Sequence, residues 1–300
     1  MFRLSDLKID GSLSADAAFG HLGVPDDATP GALVFCERLK FLNQANANEN
    51  VSAVLVRAED VEALSHSGKL RSDLGIVVTA RPRVAYWRLH NLLVDQGVLG
   101  VAVEAGIGSN VRLHPSAQVS PTARIEDGVT LGPNVVVGDR CIVGAGSELA
   151  AGVVIGAEGM QAFHDDGRLA RVRHAGSVRI GQGVSLFTNA VVSRAVRPVF
   201  TTVGDGSFIS ILVSVGHETI LGRNCQLAGN VLVGGSVRMG DEVWVGPSAT
   251  IKDGLRIGDG AQIKLGSVVV SDVPAGSVVS GNFAIPHGRN LLRHAREVQR

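Results

Sequence analysis

An aliphatic residue recurs at every sixth position through most of the C-terminal two-thirds of this 300-residue chain. The series runs from Leu113 through Val119, Ile125, Leu131, Val137, Val143 and Leu149 to Ile155. It restarts at Ile180, Leu186 and Val192, then continues from Val203 by sixes to Val269. The three runs hold eight, three and twelve positions, 23 hexads in all. A helix repeats at 3.6 residues and an alternating strand at 2.0, so neither explains a strict six. A coil of three short flat strands does: each hexad forms one face of a triangular prism and points its aliphatic inward. The residue after the aliphatic is often glycine, as at Gly132, Gly144, Gly216 and Gly234, and is expected to take the tight corner. Three hexads make an 18-residue coil, and coils stacked at roughly 4.8 Å build a prism on the order of 35 Å tall.

The fold expected is therefore a left-handed parallel β-helix built from hexapeptide repeats, over 107–286, joined to a small N-terminal α/β domain. Composition agrees. Glycine reaches 38 residues while aromatics are only 4%, because a narrow prism admits only aliphatic and small side chains. Cys141 and Cys225 fall on the inward fourth position of their hexads and read as packing thiols. Three cysteines cannot form a disulfide framework. The 28 basic and 28 acidic residues cancel, which argues against nucleic-acid or membrane-surface binding. The start MFRLSDLKIDGS has no apolar signal core, and no apolar run of about 18 residues occurs. A cytoplasmic protein without an integral membrane segment is expected.

Two loop excursions break the repeat, at 157–178 and 193–202. The first is expected to fold back as a hairpin about Asp166-Gly167; long loops on a regular scaffold are usually lids or contacts. Residues 1–106 lack the hexad and read as ALVFC, a helical LKFLNQANAN, SAVLV, EDVEALSHS, LGIVVT and PRVAYWRLHNLL, an α/β order without a Gly-rich phosphate loop or dinucleotide fingerprint. The tail 287–300 reads as a short basic helix.

Of nine histidines, His217 alone sits inside the long uninterrupted repeat, two residues after the inward Val215 in SVGHETILG. A bulky polar residue there projects outward near a corner, where nothing in the fold asks for it. The 18-residue coil stacks Gly235 directly on it. A base with a backbone N–H one coil away suits attack of an amine or hydroxyl on a thioester, the N–H stabilising the oxyanion. No metal is expected, since no second histidine lies near His217 at ligand spacing. Arg238 and Arg256 also lie 18 apart, as do Asp241 and Asp259. They form either a surface ion-pair ladder or, for the arginines, a phosphate grip.

Nearly all of residues 1–286 resembles the UDP-3-O-acylglucosamine N-acyltransferases of lipid A (lipopolysaccharide) biosynthesis. The likeness rests on GALVFCERLKF with SAVLV, on GAEGMQAFHDDGRLARVRHAGSVRIG, and on GDGSFISILVSVGHETILG. It implies a uridine-binding α/β domain on a β-helix, working as a homotrimer with active sites between subunits. It places His217 as general base and Gly235 as oxyanion glycine. It sets Phe35 and Phe41 where that family stacks uracil, although both also read as sheet-core residues. It adds Glu158 and His174 in the long loop as substrate contacts. The chain departs from the family at several points. The family's DGFG signature is here Glu158-Gly159-Met160-Gln161, and its Asp-Asn pair is Ser210-Ile211. Its second active-site histidine corresponds to Gly254, and its uracil-contacting Asn to Arg38.

The expected function is an acyltransferase moving an acyl group from a thioester, either acyl-carrier protein or acyl-CoA, to the amine of a nucleotide-linked amino sugar, with no bound cofactor. Two alternatives stand beside it: a CoA-dependent short-chain acetyltransferase of surface-polysaccharide sugars, suggested by the ending SVVSGNFAIP, and an inactive sugar-nucleotide-binding or scaffold subunit.

Overall fold

The computed structural model describes residues 1–281 and 288–289; apart from those last two, the basic tail expected over 287–300 lies outside the described residues. The chain divides into two compact units. The second comprises 103–157, 177–194 and 200 onward, and is a left-handed parallel β-helix. Its three faces are named here in chain order. Face 1 begins at Gly106–Ile107, face 2 at Arg112–Leu113 and face 3 at Gln118–Val119. Among the described residues they carry eight, nine and eight strands respectively.

Register follows the 18-residue coil. Gln118 pairs with Val136 and Val136 with Val154 on face 3; Ile220 pairs with Arg238 and Arg238 with Arg256 on face 1. The hexad aliphatics are buried in one continuous core from Ile125 to Val269, and Cys141 and Cys225 are buried among them. Burial pushes both thiols above the ordinary cysteine value, which leaves them as packing groups.

The corners differ from the expectation in one respect. The left-handed residue is the third after the aliphatic, not the first: Asn134, Arg140, Asn224, Asn230 and Glu242 have φ between 55° and 59°. Asparagine, with a short side chain that hydrogen-bonds locally, tolerates this region better than most residues. The glycine directly after the aliphatic serves close approach instead. A side chain at Gly216 would begin 2.6 Å from the Gly235 nitrogen in the next coil.

The corner between faces 1 and 2 carries a column of aspartates. Each carboxylate accepts the backbone N–H of the coil before: Ser109 to Asp127 at 2.7 Å, Arg223 to Asp241 at 2.8 Å, Asp241 to Asp259 at 2.9 Å. A turn N–H that helix or sheet would otherwise satisfy is thus satisfied by the neighbouring coil.

The first unit comprises 1–102, 158–176 and 195–199. Its five-stranded sheet runs Ser12–Ala15, Gly75–Val78, Val51–Val56, Ala32–Cys36, His21–Leu22, antiparallel only at the first pair. Helices α1 (Leu39–Ala47) and α2 (Ala58–His66) close one core with Val34, Val54 and Ile76. Helix α3 (Pro82–Asp95) opens on a proline, suited to a first helical turn, and buries Ala85, Tyr86, Leu89 and Leu93 against Leu33 and Leu55 on the other face. These elements match the expected α/β order.

The long excursion forms the expected hairpin, Ala162–Asp165 against Arg168–Arg171 around Asp166-Gly167. Both turn residues have positive φ, 48° and 78°, as a two-residue hairpin turn requires. The hairpin is clamped to α3. Arg88 Nε donates to Asp165 at 2.8 Å and its Nη1 to Asp10 at 2.8 Å, while Arg81 Nη1 donates to Asp166 at 2.7 Å. Phe163 and Val172 pack with Val196 beside Trp87. No helix among the described residues is long and apolar enough to cross a membrane.

Two substitutions separate the two uses of glycine. Gly222→Ala places a Cβ inside contact distance of the Gly240 carbonyl and is expected to cost about 2 kcal/mol or more by overpacking. Gly254→Ala meets nothing within 4 Å at φ 74° and is expected to cost only about 1 kcal/mol of left-handed strain; denaturant midpoints give the ranking. The clamp makes a second prediction. Arg88, chiefly through its hydrogen bond, holds the Asp165 carboxyl below the ordinary carboxylate value. Its contribution is therefore complete above pH ~3.9, the unfolded value, and is lost as pH falls through the lower folded value. Hydrogen exchange at the hairpin amides should rise in that acid window, and Arg88→Met should show the raised exchange already at neutral pH.

Candidate active site

Both loop excursions interrupt the same connection, from face 3 to face 1. On either side of the first, Val154–Ala157 belongs to face 3 and Ser177–Ile180 to face 1. The second lies between Val191–Ser193 and Phe200–Val203. In the next coil the connection is short and carries His217, between Ser214–Val215 and Ile220–Leu221.

This turn is held by its backbone on three sides. The Glu218 N–H donates to Thr201 Oγ1 at 2.8 Å, and the His217 carbonyl accepts the Ser236 N–H at 2.7 Å. The Glu218 carbonyl accepts Arg238 Nη1 at 2.6 Å. Glu218 is the left-handed corner residue, φ 58°, and is only 5% exposed. His217 itself is half-buried. Its ring lies against Gly235: a Cβ there would sit 2.6 Å from Nε2 and 2.7 Å from Cε1. Among the described residues the buried Nδ1 has no hydrogen-bond partner. The imidazole is therefore placed by packing on a bare backbone, and no carboxylate orients it.

The stacking of Gly235 on His217 expected from the 18-residue coil is thus present. A second property of Gly235 comes from the structure. At the aspartate corner, the N–H two after the aliphatic is capped by a carboxylate from the next coil. Asp253 occupies the corresponding position below Gly235, yet among the described residues the Gly235 N–H donates to nothing. A half-buried, uncapped N–H beside an imidazole is a donor available to an oxyanion.

Arg238 and Arg256 are register partners on face 1, but among the described residues they do not form the ladder with Asp241 and Asp259. Asp241 binds Arg223 instead, with Nη2 at 2.7 Å, and its carboxyl is held low by that hydrogen bond. Arg238 turns to the Glu218 carbonyl, and Arg256 donates its backbone N–H to Asp272 at 2.8 Å. Thr201 and the Arg238–Glu218 contact are the elements that sequence reasoning missed. Thr201 follows an excursion that breaks the hexad count, so no column position marks it.

The remaining candidates belong to the first unit. Phe35 packs against Tyr86 with ring centroids 5.0 Å apart, under the Arg83 guanidinium at 5.7 Å. It faces α3, whereas Phe41 sits on α1, which covers the opposite face of the sheet. Phe41 is 37% exposed beneath Lys40 Nζ at 4.7 Å. No ring contact joins the two phenylalanines among the described residues. Glu158 pairs with Arg171 and lines a cleft of about 410 Å³ with Met160, Gln161 and Leu169. His174 is buried, with Nε2 3.8 Å from where a Gly159 side chain would begin, so Glu158 and His174 flank one glycine.

Residues 104–139 and 122–157 match the bacterial transferase hexapeptide (six repeats) family. A UDP-3-O-acylglucosamine N-acyltransferase 3 from Gloeobacter violaceus is 49% identical over 138 residues, covering 46% of this chain and 40% of the relative. A UDP-3-O-acylglucosamine N-acyltransferase from Maricaulis maris is 44% identical over 154 residues, 51% of this chain and 43% of the relative. The chain thus spans well under half the length of the curated relatives it matches. Among solved structures, a UDP-N-acetylglucosamine acyltransferase from Campylobacter jejuni is similar with a TM-score of 0.51 at 22% identity, over 61% of this chain and 69% of its own. A second protein of that description gives 0.53 at 22%, over 67% and 77%. Both share the β-helix fold.

Gly235→Ala is the sharpest probe of this geometry. Its methyl group would displace the His217 ring while φ at this position stays outside the left-handed region. Near-native melting with turnover lowered by about 100-fold is expected, the scale of losing one well-placed donor or of misplacing a reacting group. Unchanged kcat would show that the ring position is irrelevant.

Proposed function

We propose that this chain is an acyltransferase that moves an acyl group from a thioester to the amine of a nucleotide-linked amino sugar of the lipid A type. The observation that carries the reading is the half-buried His217 imidazole seated on Gly235, whose N–H is uncapped. The names of the similar proteins, which describe N-acyl transfer to UDP-3-O-acylglucosamine, supply the substrate class.

In the proposed reaction His217 accepts a proton from the amine as its nitrogen bonds to the thioester carbonyl carbon. The carbonyl oxygen becomes an oxyanion, to which the Gly235 N–H donates. Collapse breaks the carbon–sulfur bond, and the imidazolium returns its proton to the thiolate. The products are an amide and a free thiol, with no cofactor consumed. The donor is an acyl-carrier protein or acyl-CoA. Phe35, Phe41, Glu158 and His174 are proposed contacts of the nucleotide sugar, and Arg256 of a substrate phosphate. We further propose a homotrimer, since flat prism faces pack around a threefold axis.

Free-thiol release tests the reading, with long-chain hydroxyacyl-carrier protein and acetyl-CoA offered in turn alongside UDP-amino sugars. Turnover is expected with the carrier-protein donor, reduced 100-fold or more in His217→Ala at unchanged assembly. A His217→Ala enzyme within twofold of native would remove the base assignment. Turnover with acetyl-CoA alone would identify a short-chain acetyltransferase. Silence of the native protein with every donor would mark a non-catalytic sugar-nucleotide-binding subunit.

A further inference from the structure

The strongest feature that the proposed chemistry leaves unused is the set of ties on the His217 turn. We infer that Arg238 is a positioning residue for His217, acting through the Glu218 carbonyl, with Thr201 as its partner on the other side of the same residue. The inference rests on the proposed role of His217 as base.

Glu218 follows His217 directly and adopts a left-handed conformation, φ 58°, that a residue with a Cβ disfavours. Its conformation sets the direction in which the preceding residue leaves the prism. Two side chains fix its two peptide groups. Thr201 Oγ1, fully buried, accepts its N–H at 2.8 Å. Arg238 Nη1 donates to its carbonyl at 2.6 Å, a charge-assisted bond of the stronger kind. Since Nδ1 of His217 has no hydrogen-bond partner among the described residues, the ring's position depends on its backbone and on Gly235. The contrast with Arg256 is informative. It is the register partner of Arg238 one coil on, yet among the described residues its hydrogen bonds are those of its backbone, its N–H to Asp272 and its carbonyl from the Val273 N–H. Two arginines alike in sequence spacing therefore have different tasks: one holds the corner, and the other is left to face ligand or solvent.

A positioning role and a binding role separate in kinetics. If Arg238 held a substrate phosphate, its loss would raise KM; if it holds the base, its loss lowers kcat with KM unchanged. Arg238→Met should lower kcat about 10- to 100-fold, the scale of a small misplacement of a reacting group, with both KM values within about twofold of native. Thr201→Val should lower kcat in the same direction, and Arg238→Lys should recover part of the loss. In a His217→Ala background, Arg238→Met should cost less than twofold more, because the group it positions is gone.

A rise in KM at native kcat, or an unchanged kcat in Arg238→Met, overturns the inference. So does an equal loss from Arg238→Met with and without His217, and that outcome leaves the base assignment intact. A His217→Ala enzyme as active as native removes both. Should Arg238→Met fail to fold, as judged by melting and assembly, the Thr201→Val and Arg238→Lys enzymes decide by the same split between kcat and KM.

Discussion

Everything in the second unit depends on the hydrogen bonds that tie each coil to the next. The Arg112 N–H donates to Val129, Arg124 to Cys141 and Gln118 to Val135, all at 2.8–2.9 Å, and the same pattern continues down the prism. Because those bonds hold coils at strand spacing, residues 18 apart in sequence are stacked neighbours. That contact allows glycine columns, inward aliphatics and aspartate rungs, and it puts Gly235 under His217. Where an excursion lengthens the coil, the stacking resumes in the same register, as Val154 with Val191 and Ser185 with Phe208 show.

The three corners answer the same constraint in different ways. Between faces 1 and 2, aspartates cap turn amides of the preceding coil, and glycine follows the inward aliphatic at Gly144, Gly204, Gly222 and Gly240. Between faces 2 and 3, bulky apolar residues are tolerated, with Phe187, Ile211 and Leu212 exposed there and Phe187 stacked at 6.5 Å on Phe208 of face 2. Between faces 3 and 1 the regularity is given up: two excursions leave the coil, and the next turn carries an imidazole over an open amide. The proposed chemistry sits where the backbone's own hydrogen-bonding pattern is incomplete, because there a donor is available to something other than the fold.

The first unit uses charge where the second uses repetition. Its hairpin is short and two-stranded, a kind of element that is marginal alone in water. It is secured by apolar packing of Phe163 and Val172 and by the Arg88 and Arg81 pairs to Asp10, Asp165 and Asp166. These pairs are exposed and individually weak, but they converge on one turn and so act as a network. The neighbouring His90 reinforces this anchorage, with Nε2 2.8 Å from the Arg173 carbonyl.

The architecture was legible in the sequence because a period of six admits few solutions, and the stacking of Gly235 on His217 followed from arithmetic alone. The hairpin about Asp166-Gly167 was legible for the same reason, since turn chemistry is local. The corner conformation was not. Glycine after the aliphatic looked like a turn residue, yet it is there for close approach, and the left-handed φ falls two residues later at Asn134 or Glu218. Composition cannot separate those two uses of glycine. Nor could spacing distinguish Arg238 from Arg256, which share a column and differ only in where the side chain finds a carbonyl. Thr201 was hidden behind an excursion that breaks the count. Periodicity therefore determined the scaffold and which residues stack, being a property of the backbone. The tertiary structure decided which amide stays uncapped and which side chains hold the turn, because those depend on side-chain directions that no repeat encodes.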